Sequence, residues 1–315
     1  MNQTALLQAA SSVGLFLLLA VPGFLFAKKK WITIDQVGGL SNVMVNYLWP
    51  VMVLDAMVKT ERSPELLGGM ATVALYTALS IALAAGLAWL WMKAGKKPAV
   101  PGLLILFSLM FSNTGMIGIP MMQSLFSGDP RLGEAMAYTA VVELVSNIFI
   151  FTVGIMILQV GCGRTARADL RSLLSPGMVG VVLGLVLMLT GVELPGLVRE
   201  FLSTVGGAST AIIMFIVGAQ MGELGLAEAL RDRQIYSFCL MKLVVIPACF
   251  CVVLRLLGSG VPALVSILLT AMPAPTCAAL FSRQYGGDYR LTTRCVLVST
   301  LLSAATIPVW MALIW

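Results

Sequence analysis

The chain contains no histidine. That removes the side chain that ordinarily titrates near neutral pH, the commonest metal ligand, and any serine–histidine or cysteine–histidine nucleophile pair. Any proton transfer must run through carboxylates. Charge is also scarce: 11% of the 315 residues are Asp, Glu, Lys or Arg, against roughly 25% in soluble domains, while 59% are hydrophobic. A water-soluble enzyme is excluded. The six cysteines (Cys162, Cys239, Cys249, Cys251, Cys277, Cys295) form no C-x-x-C pair and read as small apolar residues in apolar runs. There is no G-x-x-x-x-G-K-[ST]; the nearest stretch, Gly95-Lys96-Lys97, lacks the upstream glycine and the hydroxyl that a nucleotide site needs. The net charge of +6 does not point to nucleic acid, because basic residues of membrane proteins crowd into cytoplasmic loops. The expectation is a non-enzyme without a cofactor, embedded in the lipid bilayer.

A membrane helix needs about 20 apolar residues. Hydropathy and punctuation predict ten, near 5–27, 38–58, 66–92, 101–126, 134–158, 177–192, 200–222, 234–257, 261–282 and 291–314. The fold class expected is an all-α polytopic membrane protein. The first span lacks a basic leader and runs into Lys28, Lys29 and Lys30, so it reads as a mature helix and not a signal peptide. Lys93, Lys96, Lys97, Arg164, Arg167, Arg171, Arg231, Arg233, Arg283, Arg290 and Arg294 also follow odd-numbered spans. The other face holds Lys59, Arg62, Arg131, Arg199 and Arg255. The positive-inside rule then places both termini outside a cytoplasmic (inner) membrane. Trp31, Trp49, Trp89, Trp91, Trp310 and Trp315 fall mostly near span ends as an interfacial belt would, with Trp49 deeper.

The pentapeptide Gly128-Asp129-Pro130-Arg131-Leu132 recurs as Gly287-Asp288-Tyr289-Arg290-Leu291, an offset of half the chain. Five spans per half force the second half upside down, which is the inverted repeat of secondary carriers. The division expected is 1–160 as the first repeat, 161–176 as a cytoplasmic connecting loop and 177–315 as the second. Such carriers bind substrate where paired discontinuous helices meet, and span four is interrupted at 111–120 by glycine and proline and span nine at 271–277 by two prolines. Asn113 and Pro273 lie about 18 Å along their spans at 1.5 Å per residue, near the midplane of a hydrocarbon layer about 30 Å thick. Half-helices starting near Pro120 and Pro275 would point two positive N-termini at that midplane, suited to a carboxylate.

These residues are also where the chain resembles the auxin efflux carrier family, with N-T-G-x-x-G-x-P at 113–120, Leu48-Trp49-Pro50, Gly218-Ala219-Gln220, Ala271-Met272-Pro273, Gln284-Tyr285-Gly286 and Val298-Ser299-Thr300. The resemblance implies a ten-span carrier of malate-like, malonate-like or auxin-like organic acids, built as two five-helix inverted repeats with helices 4 and 9 broken, in a fold related to the bile-acid symporters. The chain departs from the family's usual residues at Pro275 and Cys277.

The candidate substrate contacts are Asn113, Thr114, Gly115, Gly118, Pro120, Pro273, Pro275, Thr276, Gln220 and Asn46. Asn113 either donates its amide to a carboxylate or caps freed backbone, and Thr276 either donates to substrate or bonds back to its own helix. Gln220 and Asn46 line the site or join neighbouring helices. Gly206 to Thr210 read as a packing surface. Buried ionisable groups in a membrane are functional candidates by default, and Glu143, Lys242 and Asp55 qualify. Glu143 is read as a proton-coupling group or a packed acid. Lys242 snorkels to the cytoplasm, neutralises a substrate carboxylate, or pairs with Glu143. Asp55 pairs with Lys59 at a span end. The function expected is secondary transport of a small mono- or dicarboxylate by alternating access, driven by a proton or sodium gradient, from a chain that can pair as a homodimer. The alternatives are a sodium-coupled symporter of the bile-acid type and a membrane sensor that binds an acid without moving it.

Overall fold

The computed structural model describes residues 3–60, 63–95, 99–168, 174–223 and 232–314. Arg62, Lys96, Lys97, Arg171, Arg231 and Trp315, used above for orientation and the aromatic belt, lie outside them. The described residues form helices and no strand: α1 (Gln3–Lys28), α2 (Ile34–Val43), α3 (Trp49–Val58), α4 (Pro64–Ala94), α5 (Ala99–Met110), α6 (Ile119–Leu125), α7 (Leu132–Phe149), α8 (Ile155–Gly161), α9 (Pro176–Thr190), α10 (Gly196–Glu223), α11 (Arg233–Leu240), α12 (Ile246–Leu257), α13 (Val261–Thr270), α14 (Cys277–Tyr285) and α15 (Tyr289–Ile314). Seven stretches of them are long and apolar enough to cross a membrane, and 18–28, 178–190 and 261–270 are shorter apolar helices. This is the architecture of a polytopic membrane protein.

Local chemistry sets the ends. Thr33 and Gln36 form a reciprocal capping box at α2, Ser63 caps α4 ahead of Pro64, and Asp232 caps α11, each meeting backbone N–H groups that the first turn leaves free. Both copies of the repeated pentapeptide are turns that start a helix. Asp129 accepts from the Arg131 N–H at 2.8 Å and Asp288 from the Leu291 N–H at 3.0 Å.

Proline also shapes helix interiors. Met44–Leu48, Thr114–Gly118 and Met241–Val245 are single π turns, and Pro50, Pro120 and Pro247 each follow two residues later, at the start of α3, α6 and α12. Proline has no N–H and crowds the preceding turn. The widened turn absorbs this, with Trp49, Ile119 and Ile246 donating five residues back to Met44, Thr114 and Met241. A fourth π turn, Ile150–Gly154, joins α7 to α8 without a proline. Pro120 therefore does not begin the second half of span four. Helical structure resumes at Thr114, six residues earlier than expected, and the unwound stretch is 111–113.

The helices pack in two groups, joined where α1 meets α15 and α6 and where α3 and α9 meet α7. In one, α10 packs along α1 and α3, and α9 along α3. In the other, α7 packs with α4 and α13, α5 with α4 and α8, and α14 with α15. The backbones of α1 and α10 approach closely: a Cβ at Gly23 would sit 1.9 Å from the Phe215 carbonyl oxygen, and one at Gly218 would sit 1.9 Å from that of Ala20. Only glycine permits backbones so close. Gly206 lies against Asp55 and the Ser209 hydroxyl donates to the Leu48 carbonyl, so the Gly206 and Ser209 side of the 206–210 stretch is a packing surface while Gly207 and Ala208 are exposed. Trp310 corrects the belt reading. It is buried, and its Nε1–H donates to the Leu243 carbonyl in a π turn at 2.8 Å.

Candidate functional site

The unwound stretch 111–113 meets the second unwound stretch, 271–276, inside the protein. The Asn113 N–H donates to the Pro273 carbonyl at 2.9 Å, and the Ser112 hydroxyl donates to the Thr270 carbonyl at 3.1 Å. The Ala274 N–H donates to Ser299 Oγ at 3.1 Å. Each break strands backbone groups that lipid cannot satisfy, and each break is satisfied largely by the other and by α15. The two interruptions thus form one crossing, with Asn113, Thr114, Pro273, Pro275 and Thr276 brought together around it.

One buried donor at the crossing is left over. Asn113 is 4% exposed, and its Nδ2 has no hydrogen-bond partner. An amide buried in this way costs free energy unless something completes it. The Asn113 backbone is structural: its carbonyl oxygen accepts from the Gly118 N–H at 3.0 Å. Thr114 donates its hydroxyl to Glu143 Oε2, while Asn147 donates to Glu143 Oε1 at 2.8 Å. Gly115 and Gly118 admit close neighbours. A Cβ at Gly115 would lie 2.9 Å from Glu143 Oε1, and one at Gly118 would lie 2.7 Å from Leu269 Cδ2. Glu143, on α7, is buried against the start of the second half-helix of span four.

Thr276 and Gln220 meet elsewhere at the same crossing. Together with Ile117, Met221, Thr293 and Thr300 they line a cavity of about 170 Å³. A cavity of about 150 Å³ takes a benzene-sized molecule, and drug-sized sites run to roughly 300–1,000 Å³; this space suits a small ligand. Among its described lining residues none is charged. The Thr276 hydroxyl donates to Met116 Sδ at 3.1 Å, tying the two breaks across the cavity wall.

Lys242 neither snorkels nor pairs with Glu143. It is 1% exposed, and its ammonium donates to the Leu109 carbonyl at 3.2 Å, the Phe111 carbonyl at 2.7 Å and Ser112 Oγ at 2.8 Å. Two candidates are not brought to the crossing. Asn46 is exposed and donates to Asn42 of its own helix at 2.9 Å, because the π turn at 44–48 directs it outward. Asp55 pairs with Lys59 at 2.7 Å on the flank of α3 facing α10. Sequence reasoning missed Ser299 and Ser112 as backbone partners, and Thr293 as a cavity residue. Ser299 stands in the family-like stretch 298–300 and Ser112 in the break at 111–120, but a hydroxyl in an apolar run is a weak signal, since most such hydroxyls here bond four residues back along their own helix, as Thr77 and Thr139 do.

A crossing of broken helices in an all-helical, apolar chain is the layout of a membrane carrier, and sequence comparison agrees. The profile of the membrane transport protein family, which includes the auxin efflux carriers, matches residues 11–311. The chain belongs to this family. An uncharacterized transporter of Methanothermobacter thermautotrophicus is 22% identical over 282 residues, covering 88% of each chain. The protein is therefore a membrane transporter.

Proposed function

We propose that this transporter is a secondary carrier of a small organic acid anion, a mono- or dicarboxylate of malate or malonate size, moved across the cytoplasmic membrane by alternating access. The observation that carries the reading is the unpartnered Asn113 amide at the crossing of the two breaks. A carboxylate is the ligand that completes it. The half-helix 114–125 begins beside it and adds the positive end of its dipole. The adjoining 170 Å³ cavity fits a small acid, with Gln220, Thr276, Thr293 and Thr300 as hydroxyl and amide partners for the rest of the molecule. Opening of the crossing toward this cavity would deliver the anion to Asn113.

In this reading the chain makes ten spans, two inverted five-helix repeats divided at 161–176, with both termini outside. On the same reading the group of α1, α3, α9 and α10 rocks or slides against the helices around the crossing along the contacts of α1 with α15 and α6 and of α3 and α9 with α7. The exposed stripe Val179, Val182, Val186 and Leu189 on α9 would face lipid or the second copy of a homodimer. Glu143 carries the coupling proton, since it is the buried carboxylate touching the half-helix at Thr114 and Gly115.

The test is uptake into proteoliposomes of a panel of mono- and dicarboxylates, with imposed proton and sodium gradients. Accumulation of one small acid above equilibrium under a proton gradient is the expected result. Binding of acids without flux under every gradient would make the protein a sensor, and no binding of any acid would remove the substrate class.

A further inference from the structure

Anion binding and proton coupling leave Lys242 without a task, yet it is the charged side chain most deeply enclosed among the described residues. It projects from the π turn Met241–Val245, which Trp310 holds through Leu243. Two of its three acceptors, the Leu109 and Phe111 carbonyls, are oxygens freed where α5 stops, and the third is the Ser112 hydroxyl in the unwound stretch that follows. The end of a helix carries roughly half a negative charge. Unwound carbonyls and half-helix C-terminal ends of this kind are the ligands that hold sodium in carriers with broken helices. A further set of oxygens lies next to the ammonium: a cavity of about 20 Å³, room for about one water, is bordered by Lys242, Ser112, Thr114, Ser146, Thr77 and Thr270.

We propose that the Lys242 ammonium is a tethered cation occupying a sodium-type site at the end of α5, so that the break is held without a free ion, transport does not need sodium, and loss of the ammonium opens the site to Na⁺. A cation fixed by covalent attachment satisfies the carbonyls in every state of the cycle. It cannot leave with the substrate, and that leaves the proton as the coupling ion. The inference deepens the carrier reading by naming the ion that the carrier does not use, and rests on it for that consequence alone.

The experiment compares the thermal unfolding midpoint of purified wild type, Lys242→Ala and Lys242→Gln in sodium, potassium and choline chloride at equal ionic strength. Wild type is expected to unfold at the same temperature in all three. Lys242→Ala should unfold lower in choline and recover saturably in sodium, by about 2 °C once sodium is about tenfold above its dissociation constant. Lys242→Gln should behave in the same direction. Recovery of folded variant only when sodium is present throughout purification also supports the proposal. Saturable stabilisation of wild type by sodium overturns it, as does a folded variant that is indifferent to sodium; if neither variant folds in any salt, the wild-type comparison decides. Because heat stability is read and not flux, the outcome is separable from the carrier reading. A chain that moves no acid but whose Lys242→Ala variant takes up sodium keeps the site and loses the carrier.

Discussion

Glu143→Gln separates a carboxyl group that carries a proton from one that only fills space. Two hydrogen bonds are at stake, from the Thr114 hydroxyl to Oε2 and from Asn147 Nδ2 to Oε1 at 2.8 Å. Glutamine keeps an acceptor oxygen for Asn147 and turns its amide toward the Thr114 oxygen, which accepts. At most one bond is weakened, a loss of about 0.5–1.5 kcal/mol. Glu143→Leu orphans both partners and costs about 2 kcal/mol or more. Glutamine is also fixed in the neutral form. In proteoliposomes, one proton moved with each anion makes a one-unit pH difference worth about 1.4 kcal/mol, or tenfold accumulation. Wild type should reach this, whereas Glu143→Gln should exchange labelled for unlabelled acid within about threefold of the wild-type rate and accumulate none. If Glu143→Gln still accumulates acid under the pH gradient, the proton does not travel on Glu143. If exchange is lost as well from folded protein, Glu143 belongs to the substrate path and not to coupling.

The α1–α10 contact predicts a sharp contrast between two glycines on one helix. Gly218→Ala must part the backbones, because its Cβ would lie 1.9 Å from the Ala20 oxygen; a loss of about 1–3 kcal/mol in denaturant unfolding is expected, outweighing the roughly 1 kcal/mol that alanine adds to a helix. Gly207→Ala meets nothing within 4 Å and should be neutral or stabilising, and equal effects at the two sites would refute the packing account. In the turn before α7, hydrogen bonds from Arg131 hold the Asp129 carboxyl below its ordinary range. Its contribution to stability is therefore complete above the unfolded value near 3.9 and is lost as pH falls through the lower folded value. The difference in melting midpoint between wild type and Asp129→Asn should shrink only below about pH 4, and a difference that does not change with pH would contradict this.

Much of the fold was legible because lipid leaves few choices. Apolar runs of span length must be helices, and Gly and Pro clustered at 111–120 and the prolines at 273 and 275 marked the two breaks. The exact point of the first break was not legible. Pro120 reads as a breaker, but a π turn absorbs it, and the chain unwinds instead at 111–113, where Asn113 can reach Pro273 half a chain away. Pairing across that distance leaves no local signal. The same holds for Lys242: an isolated lysine in an apolar run reads as a snorkelling residue, and its acceptors lie 130 to 133 positions earlier in the chain. Asn46 failed in the opposite sense. One turn before Pro50 it looked inward, but the π turn shifts the register of its helix and leaves it exposed. Half of the cysteines are buried, as apolar runs suggest, while Cys162, Cys249 and Cys277 are half-buried.

The measurement that reaches the centre of the account is the affinity of purified wild type and Asn113→Ala for the acid that the uptake panel identifies, read by calorimetry at fixed pH and salt. A hydrogen bond from a buried amide to a carboxylate is worth about 1.5–3 kcal/mol, so Asn113→Ala should bind the acid roughly 10- to 100-fold more weakly while unfolding at a temperature close to that of wild type. Unchanged affinity in the folded variant would place the carboxylate elsewhere, and the crossing of the two broken helices would then be a structural joint and not the anion site.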